Sequence, residues 1–323
     1  NWFKNIGPGP LVAAAFIGPG TVTLCTIAGV NFGYALLWAM VLSVVATIVL
    51  QEMSARLGVV SQKGLSEVIR TEIKQPLLKT LTIILILSAI VIGNAAYEAG
   101  NISGSVLGLQ AVFDGSSTFF SVIIGVIAFV LLFIGNYKVL EKALVVLVIL
   151  MSLAFLITAI MTKPNLTDIF RGVFIPKFPD ESLLTIIGLI GTTVVPYNLF
   201  LHASLVREKW HKISDLKHAR KDTIVAVVLG GIVSMCIIIS AAAIQSADIS
   251  NAADLAKGLE PLFGSFSKYF LAIGLFAAGI TSAITAPLAS AYVANSCFDW
   301  KADLKNIKFR LVWFIILFLG VLF

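Results

Sequence analysis

Charge is what this sequence most obviously lacks. Only 12% of its 323 residues are charged, and 59% are hydrophobic. A soluble globular domain carries roughly 25% charged residues, so this composition excludes that class. Cysteine is also scarce: there are three, none in a CxxC pair, which excludes a disulfide scaffold and a thiolate metal cluster. With a mean hydropathy of +0.99, the chain is predicted to be an all-α polytopic membrane protein.

Motifs of catalysis are missing too. The sequence has no Walker loop, no HExxH motif and no Ser-His-Asp context, so we predict that it is not an enzyme and has no cofactor. Cys25, Cys236 and Cys297 lie in or at the edges of apolar stretches and are interpreted as small packing residues.

Nine apolar stretches are present, and each is close to the length of about 20 residues that a membrane span requires. The longest connections, near 56–79, 162–182 and 248–266, are too short for a separate domain, so residues 1–323 are predicted to form one transmembrane domain. The predicted spans are 8–29, 33–55, 80–109, 119–136, 139–161, 183–206, 223–247, 267–297 and 309–323.

Basic residues are distributed unevenly between the two sides that these spans define. The five on one side are Lys163, Arg171, Lys177, Lys257 and Lys268, whereas the other side has Lys4, Arg56, Lys63, Arg70, Lys74, Lys79, Lys138, Lys142, Arg207, Lys209, Lys212, Lys217, Arg220, Lys221, Lys301, Lys305, Lys308 and Arg310. By the positive-inside rule the N-terminus is cytoplasmic, and we expect a multi-pass protein of the plasma membrane in contact with lipid. The net charge of +6 is therefore a topology signal and does not indicate nucleic-acid binding. Nothing in the sequence specifies an oligomeric state.

Two of the spans, half a chain apart, contain a proline among residues that suit unwound backbone. Proline removes a backbone donor and clashes with the preceding turn, so each span should break into two half-helices. Paired broken spans predict a substrate site between them. The predicted helix breaks are at Pro19, Gly20 and Pro196, and the residues expected to line a site for a small ion or small molecule are Ala15, Gly18, Thr21, Thr192, Val195, Tyr197 and Asn198.

Two ionisable residues within the spans are candidates for a proton pathway. Glu98 stands mid-span among small and polar residues, and an intramembrane carboxyl is costly enough to suggest function. His202 follows Asn198 by four residues on the same helical face, and histidine titrates near neutral pH. The alternative for both is a purely structural role. Gln51 is predicted to be interfacial.

Two further charged features are interpreted as structural. Glu52 is expected to pair with Arg56 four residues later. The charge run 207–222 is predicted to be a solvated cytoplasmic loop.

Several motifs resemble the Nramp family of proton-coupled divalent-metal transporters. They include Gly7-Pro8-Gly9-Pro10, Glu98-Ala99-Gly100 and the stretch from Asn198 through His202 to Val206. The resemblance implies a leucine-transporter-like inverted-repeat fold with broken first and sixth transmembrane helices. The repeats would cover about 1–161 and 183–323, and because the second is one span short, a truncated C-terminus is expected. It also implies proton coupling through Glu98 and His202.

The metal site of the family is where the sequence departs from it. The family's ligand Asp, Asn and Met positions are Gly18, Thr21 and Val195 here, and an alanine that offers its carbonyl is Thr192, whereas Ala15 is retained. These replacements remove the carboxylate, the amide and the thioether. Neutral oxygen ligands seldom repay the dehydration of a divalent ion, so an atypical substrate is expected.

Three functions stay open at this point. The first is a secondary transporter of this family, with a divalent metal as the inherited substrate. The second is a transporter of a neutral or anionic small solute, such as an amino acid, because Gly18 to Thr21 place backbone amides at a half-helix N-terminus. The third is a non-transporting membrane sensor or receptor.

The basic-residue asymmetry predicts which loops are accessible from outside the cell. A Lys177→Cys variant should react with an impermeant thiol reagent on intact cells, whereas Lys212→Cys should react only after permeabilisation. The opposite labelling pattern would contradict both the orientation and the number of spans.

Overall fold

The computed structural model describes residues 7–244, 266–300 and 304–323. Within these ranges the secondary structure is helical and there is no strand. The helices are α1 (Gly9–Phe16), α2 (Pro19–Phe32), α3 (Leu37–Ser61), α4 (Leu65–Glu72), α5 (Pro76–Leu87), α6 (Gly93–Gln110), α7 (Ser117–Ile134), α8 (Tyr137–Met161), α9 (Leu166–Phe174), α10 (Leu183–Thr193), α11 (Pro196–Lys209), α12 (Leu216–Ala241), α13 (Phe266–Phe298) and α14 (Ile307–Leu322).

The nine predicted spans correspond to these helices, except that residues 245–247 of the seventh span lie outside the described ranges. Seven helical segments among the described residues are long and apolar enough to cross a membrane. The other two spans are the α1–α2 pair, which is broken, and α14, which has 16 residues. A π-helical turn at Ser88–Ile92 joins α5 to α6 into one long span.

Two of the predicted loops contain short helices. The segment 56–79 includes α4, and 162–182 includes α9. Asn165 caps the N-terminus of α9, where its side-chain oxygen accepts a hydrogen bond from the Thr167 N–H at 3.0 Å. These helices were not predicted, because an amphipathic helix of eight or nine residues is far below spanning length and gives no long apolar run. Of the third segment, 248–266, all but Phe266 lies outside the described residues.

Helix α13 lies at the centre of the described structure and is buried along most of its length. It packs against α6 through small residues that bring the two backbones together. A Cβ atom added to Gly108 would lie 2.6 Å from the Phe276 backbone nitrogen. All three cysteines are buried and unpaired, which confirms their prediction as packing residues.

The charge run 207–222 is largely exposed, as predicted, but most of it is helical, so its prediction as a loop was wrong. Its first residues complete α11 and its last ones begin α12. Arg207 pairs with Glu67 of α4 at 3.0 Å, and Arg220 reaches Glu52 at 2.6 Å. The predicted pair between Glu52 and Arg56 is present at 3.6 Å, so Glu52 joins two arginines. Sequence spacing could not reveal the partners because they lie on other helices.

A fourth ion pair joins α4 to the end of α13. Arg70 of α4 contacts Asp299, which follows α13, at 2.5 Å. The guanidinium lowers the pKa of the Asp299 carboxyl because it stabilises the charged form. The carboxylate stays exposed, so this contact positions α4 more than it stabilises the fold.

Asp222 at the start of α12 holds the N-terminus of α1. Its carboxylate accepts hydrogen bonds from the Gly7 N–H at 2.9 Å and the Gly9 N–H at 2.7 Å. The first N–H groups of a helix lack intrahelical partners and carry the positive end of the helix dipole, so a carboxylate stabilises them. The first half-helix is therefore attached to α12 by charge-assisted hydrogen bonds.

Removal of this carboxylate should destabilise the protein. We expect Asp222→Ala to lower the free energy of unfolding by about 2 kcal/mol, since hydrogen bonds to a charged group contribute about 1.5–3 kcal/mol. Equilibrium unfolding in mixed detergent micelles would measure the change. Asp215→Ala is the control, because Asp215 is only partly buried and, among the described residues, its carboxylate accepts a single hydrogen bond, from the Lys212 N–H at 3.2 Å. Equal stability of the two variants would contradict the proposed anchoring.

Candidate substrate site

The first helix break separates α1 from α2 by two residues. Ile17 has φ −92° and ψ 67°, and Gly18 has φ −94° and ψ 177°, so the chain is extended before it re-enters a helix at Pro19. The Thr21 hydroxyl turns back over the break and donates to the Phe16 carbonyl at 2.6 Å. One of the carbonyls freed by the break is therefore satisfied within the protein, as burial in a membrane requires.

The second break has nearly the same geometry. Val194 has φ −85° and ψ 68°, and Val195 has φ −82° and ψ 119°, after which Pro196 begins α11. Both breaks thus consist of two non-helical residues followed by a proline at the first helical position. A proline there loses no intrahelical hydrogen bond, which explains why each break ends where it does.

The two breaks contact each other directly. The hydroxyl oxygens of Thr21 and Thr192 are 2.7 Å apart. The Tyr197 hydroxyl donates to the Ala15 carbonyl at 2.7 Å. Side chains from each break therefore satisfy polar groups of the other.

A cavity of about 510 Å³ lies between the breaks. Six of the seven residues predicted to line a substrate site do line it, together with Gly20 and Pro196 of the predicted breaks, whereas Asn198 does not. The lining residues are Ala15, Phe16, Gly18, Gly20, Thr21, Leu24, Ala89, Ile90, Asn94, Tyr97, Asn101, Gly188, Gly191, Thr192, Val195, Pro196, Tyr197 and Ser282. None of these side chains carries a formal charge at neutral pH.

The residues that do not line the cavity have structural contacts. Asn198 is fully buried, and its amide nitrogen donates to the Val12 carbonyl at 3.0 Å, which ties α11 to α1. Pro19 packs beside Gly104 of α6, where any larger residue would clash with its ring. Asn198 was placed at the site because of its closeness to the break, but its position on the helix turns it toward α1.

Four polar lining residues were not predicted as site residues: Asn94, Tyr97 and Asn101 of α6, and Ser282 of α13. The three on α6 surround Glu98 in sequence, and their spacing of three and four residues indicates one helical face. Ser282 had no local signal, because a single serine in an apolar span is common.

Glu98 lies behind the cavity wall. Its side chain is fully buried and packs against Gly320 of α14. One carboxyl oxygen accepts from the Asn101 amide nitrogen at 3.1 Å, and the other has no hydrogen-bond partner among the described residues. Asn101 thus connects Glu98 to the cavity.

His202 lies apart from the cavity, between α11, α3 and α12. Its Nδ1 is 2.8 Å from the Gln51 side-chain oxygen, and its Nε2 is 3.5 Å from the Thr223 hydroxyl. Gln51, predicted to be interfacial, is 1% exposed and is buried against this imidazole. The sequence did not show that a glutamine at a span end would turn inward to pair with a buried imidazole.

Gly18, Thr21 and Val195, the positions that the resemblance assigns to metal ligands, offer no carboxylate, amide or thioether. Within the described ranges there is no group of three His, Cys, Asp or Glu residues that could hold a metal ion. A Cβ atom added to Gly18 would lie 2.8 Å from the Ser282 hydroxyl, so that serine occupies part of the space beside the glycine. Gly18 has extended dihedrals that any residue can adopt. Glycine is therefore favoured at this position by the nearby Ser282 side chain and not by the backbone conformation.

Two broken helices around one cavity, within an all-helical membrane domain, define a transporter of the leucine-transporter-like class. The structure is similar to that of a manganese transporter from Eremococcus coleocola, with a TM-score of 0.82 and 23% identity over 99% of this chain and 70% of the other. It is also similar to a Na⁺-coupled sialic acid symporter, with a TM-score of 0.60 and 12% identity over 99% of this chain and 80% of the other. At these identities the similarity shows the fold.

The sequence comparisons identify the family. The Nramp model, described as natural resistance-associated macrophage protein-like, matches residues 9–323, and the chain belongs to this family. A divalent metal cation transporter of Verminephrobacter eiseniae is 26% identical over 92% of this chain and 70% of its own length. The metal transporter Nramp3 of Oryza sativa subsp. japonica is 31% identical over 93% of this chain, which spans 57% of the rice protein.

Restoring the missing ligands should create a metal site. The triple variant Gly18→Asp, Thr21→Asn, Val195→Met should bind Mn²⁺ at least tenfold more tightly than the wild type, a gain of about 1.4 kcal/mol. The reason is that the variant adds a carboxylate, an amide and a thioether at three positions that all line the cavity. Isothermal titration calorimetry would measure both affinities.

The matched control replaces Asp by Asn at position 18 and keeps the other two changes, so that size is retained without charge. Its affinity for Mn²⁺ should be little higher than that of the wild type. Micromolar Mn²⁺ binding by the wild type, or no gain in the triple variant, would contradict this account of the site.

Proposed function

We propose that the protein is a secondary active transporter that carries a divalent cation, together with part of its water shell, through the cavity between its two breaks. The observation that carries this proposal is the uncharged cavity enclosed by both broken helices. The relatives named as metal transporters, one of them a divalent metal cation transporter, support the choice of a divalent cation.

A retained water shell follows from the chemistry of the lining. A divalent ion gives up all of its water only where charged ligands compensate, and the cavity has none. Six waters take up roughly 180 Å³ at about 30 Å³ each, which the cavity of about 510 Å³ can hold. Without a thioether, the site should lack the preference for soft transition metals that sulfur gives.

Proton coupling is the second part of the proposal. Glu98 is separated from the cavity by Asn101 alone, and its second carboxyl oxygen lacks a hydrogen-bond partner in the described structure. His202 would extend a proton route toward the cytoplasmic end of α11, in a plasma-membrane protein with a cytoplasmic N-terminus. Both residues lie at positions that the family resemblance assigns to the proton pathway.

A small organic solute is the second candidate substrate. The Ala15 and Phe16 carbonyls, which could serve as metal ligands, accept hydrogen bonds from Tyr197 and Thr21. Each of these two carbonyls has already used one of its two lone pairs, which leaves it less free to bind a metal and favours a substrate recognised by side chains, such as a neutral or anionic solute.

Flux into proteoliposomes distinguishes these functions. Mn²⁺, Mg²⁺, Na⁺, protons and amino acids should be supplied in parallel, and we expect Mg²⁺ or Mn²⁺ to enter. Uptake of an amino acid alone would favour the second candidate. No flux of any of these probes would contradict transport and favour a sensor or receptor.

Substitution of Glu98 tests the proton route. Glu98→Gln keeps the size of the side chain but cannot release a proton, so it should abolish the pH dependence of uptake and leave the protein folded. Glu141→Gln is the control, since that carboxyl lies beside Lys209 at 3.9 Å, away from the cavity. Proton flux that persists unchanged in Glu98→Gln would show that Glu98 is structural.

A further inference from the structure

The polar side chains of the cavity are concentrated on one wall. Helix α6 contributes Asn94, Tyr97 and Asn101, and α13 contributes Ser282. The breaks supply the other polar side chains of the lining, but there the hydroxyls of Thr21, Thr192 and Tyr197 bind one another or the backbone. The α6–α13 wall therefore has more hydrogen-bonding capacity left for a substrate.

The orientation of the Asn94 amide is fixed by its neighbours on α13. Its nitrogen donates to the Ala286 carbonyl at 3.0 Å and to the Ser290 hydroxyl at 2.8 Å. A backbone carbonyl can only accept, so the nitrogen must face α13. Both amide hydrogens are then used, and the oxygen is the group that Asn94 has left for the cavity it lines.

Asn101 is oriented in the same way. Its nitrogen donates to Glu98 behind the wall at 3.1 Å, so its oxygen lies on the side of Gly18. That oxygen is 3.8 Å from the point where a Gly18 Cβ would lie. Two amides therefore present their acceptor ends to the cavity.

Ser282 completes this group. It is 2% exposed, and its hydroxyl has no hydrogen-bond partner within the described ranges. The hydroxyl is 2.8 Å from the same point beside Gly18. A buried hydroxyl without a partner costs free energy, which a substrate that binds it would recover.

We infer that Asn94, Asn101 and Ser282 form the specificity-determining surface of the site and select a cation through its bound waters. This inference rests on the proposed transport function and narrows its substrate class. Water bound to a cation donates hydrogen bonds outward, and amide oxygens accept them. An anion would face the negative ends of the same amide dipoles.

The backbone at the first break does not reverse this selection. The last carbonyls of α1 and the first amides of α2 lie at the same break, so the backbone offers both acceptors and donors there. The side chains of the α6–α13 wall therefore decide the sign of the favoured charge.

Initial uptake rates in proteoliposomes test the inference, with Mg²⁺, Mn²⁺, methylammonium and acetate as separate probes. We expect Ser282→Ala and Asn101→Ala each to lower the uptake of Mg²⁺ or Mn²⁺ at least tenfold at subsaturating concentration. Asn101→Asp should raise it, because a carboxylate attracts the cation more strongly than an amide. Ser240→Ala is the matched control, since its buried hydroxyl bonds the Cys236 carbonyl at 2.8 Å outside the cavity; it should leave uptake unchanged.

Failure of the inference is distinguishable from failure of the proposed function. If the wild type carries a divalent cation and all three wall variants match it, this surface does not select the substrate, although transport stands. If the wild type carries acetate in preference to the cations, the inferred charge selection is overturned. Uptake of methylammonium alone, lost in Ser282→Ala, would support the cation-selective wall and overturn the divalent substrate. If the wild type carries none of these probes, both the proposed function and the inference built on it are overturned.

Discussion

The structure depends on the need to satisfy backbone polar groups that two helix breaks expose at membrane depth. A lipid environment offers no hydrogen bonds, so each freed group requires a protein partner or a polar cavity. Here Thr21 and Tyr197 cover carbonyls at the first break, and a hydroxyl pair with Thr192 joins it to the second. The backbone polar groups that remain without a protein partner can face the cavity, which is why it lies between the breaks.

Charge is arranged around this cavity and not in it. Glu98 stands behind Asn101, and Asp222 is bonded to the start of α1. Proline begins the helix after each break, so the breaks do not depend on which side chains stand at Gly18, Thr21 and Val195. Further polar side chains of the cavity lie on α6 and α13, where Ser282 lies beside the space that a side chain at position 18 would need.

The spans, the breaks and six of the lining residues could be predicted because apolar length and proline are local signals. Gln51 and the 207–222 run could not, since their partners, His202 and Glu67 among them, lie on distant helices. Asn198 shows the same limit: nearness in sequence placed it at the site, but its helical face turns it toward Val12. Ser282 could not be found at all, because only the packing of α13 against the first break gives it a role.

The claim that substrate passes between the two breaks is tested most directly by joining them. Thr21 and Thr192, whose hydroxyl oxygens are 2.7 Å apart, can be replaced together by cysteine and oxidised to a disulfide in proteoliposomes. We expect oxidation to reduce the uptake of Mg²⁺ or Mn²⁺ to that of protein-free vesicles and a reductant to restore it. Full uptake by the completely cross-linked protein would show that the substrate does not pass between the breaks.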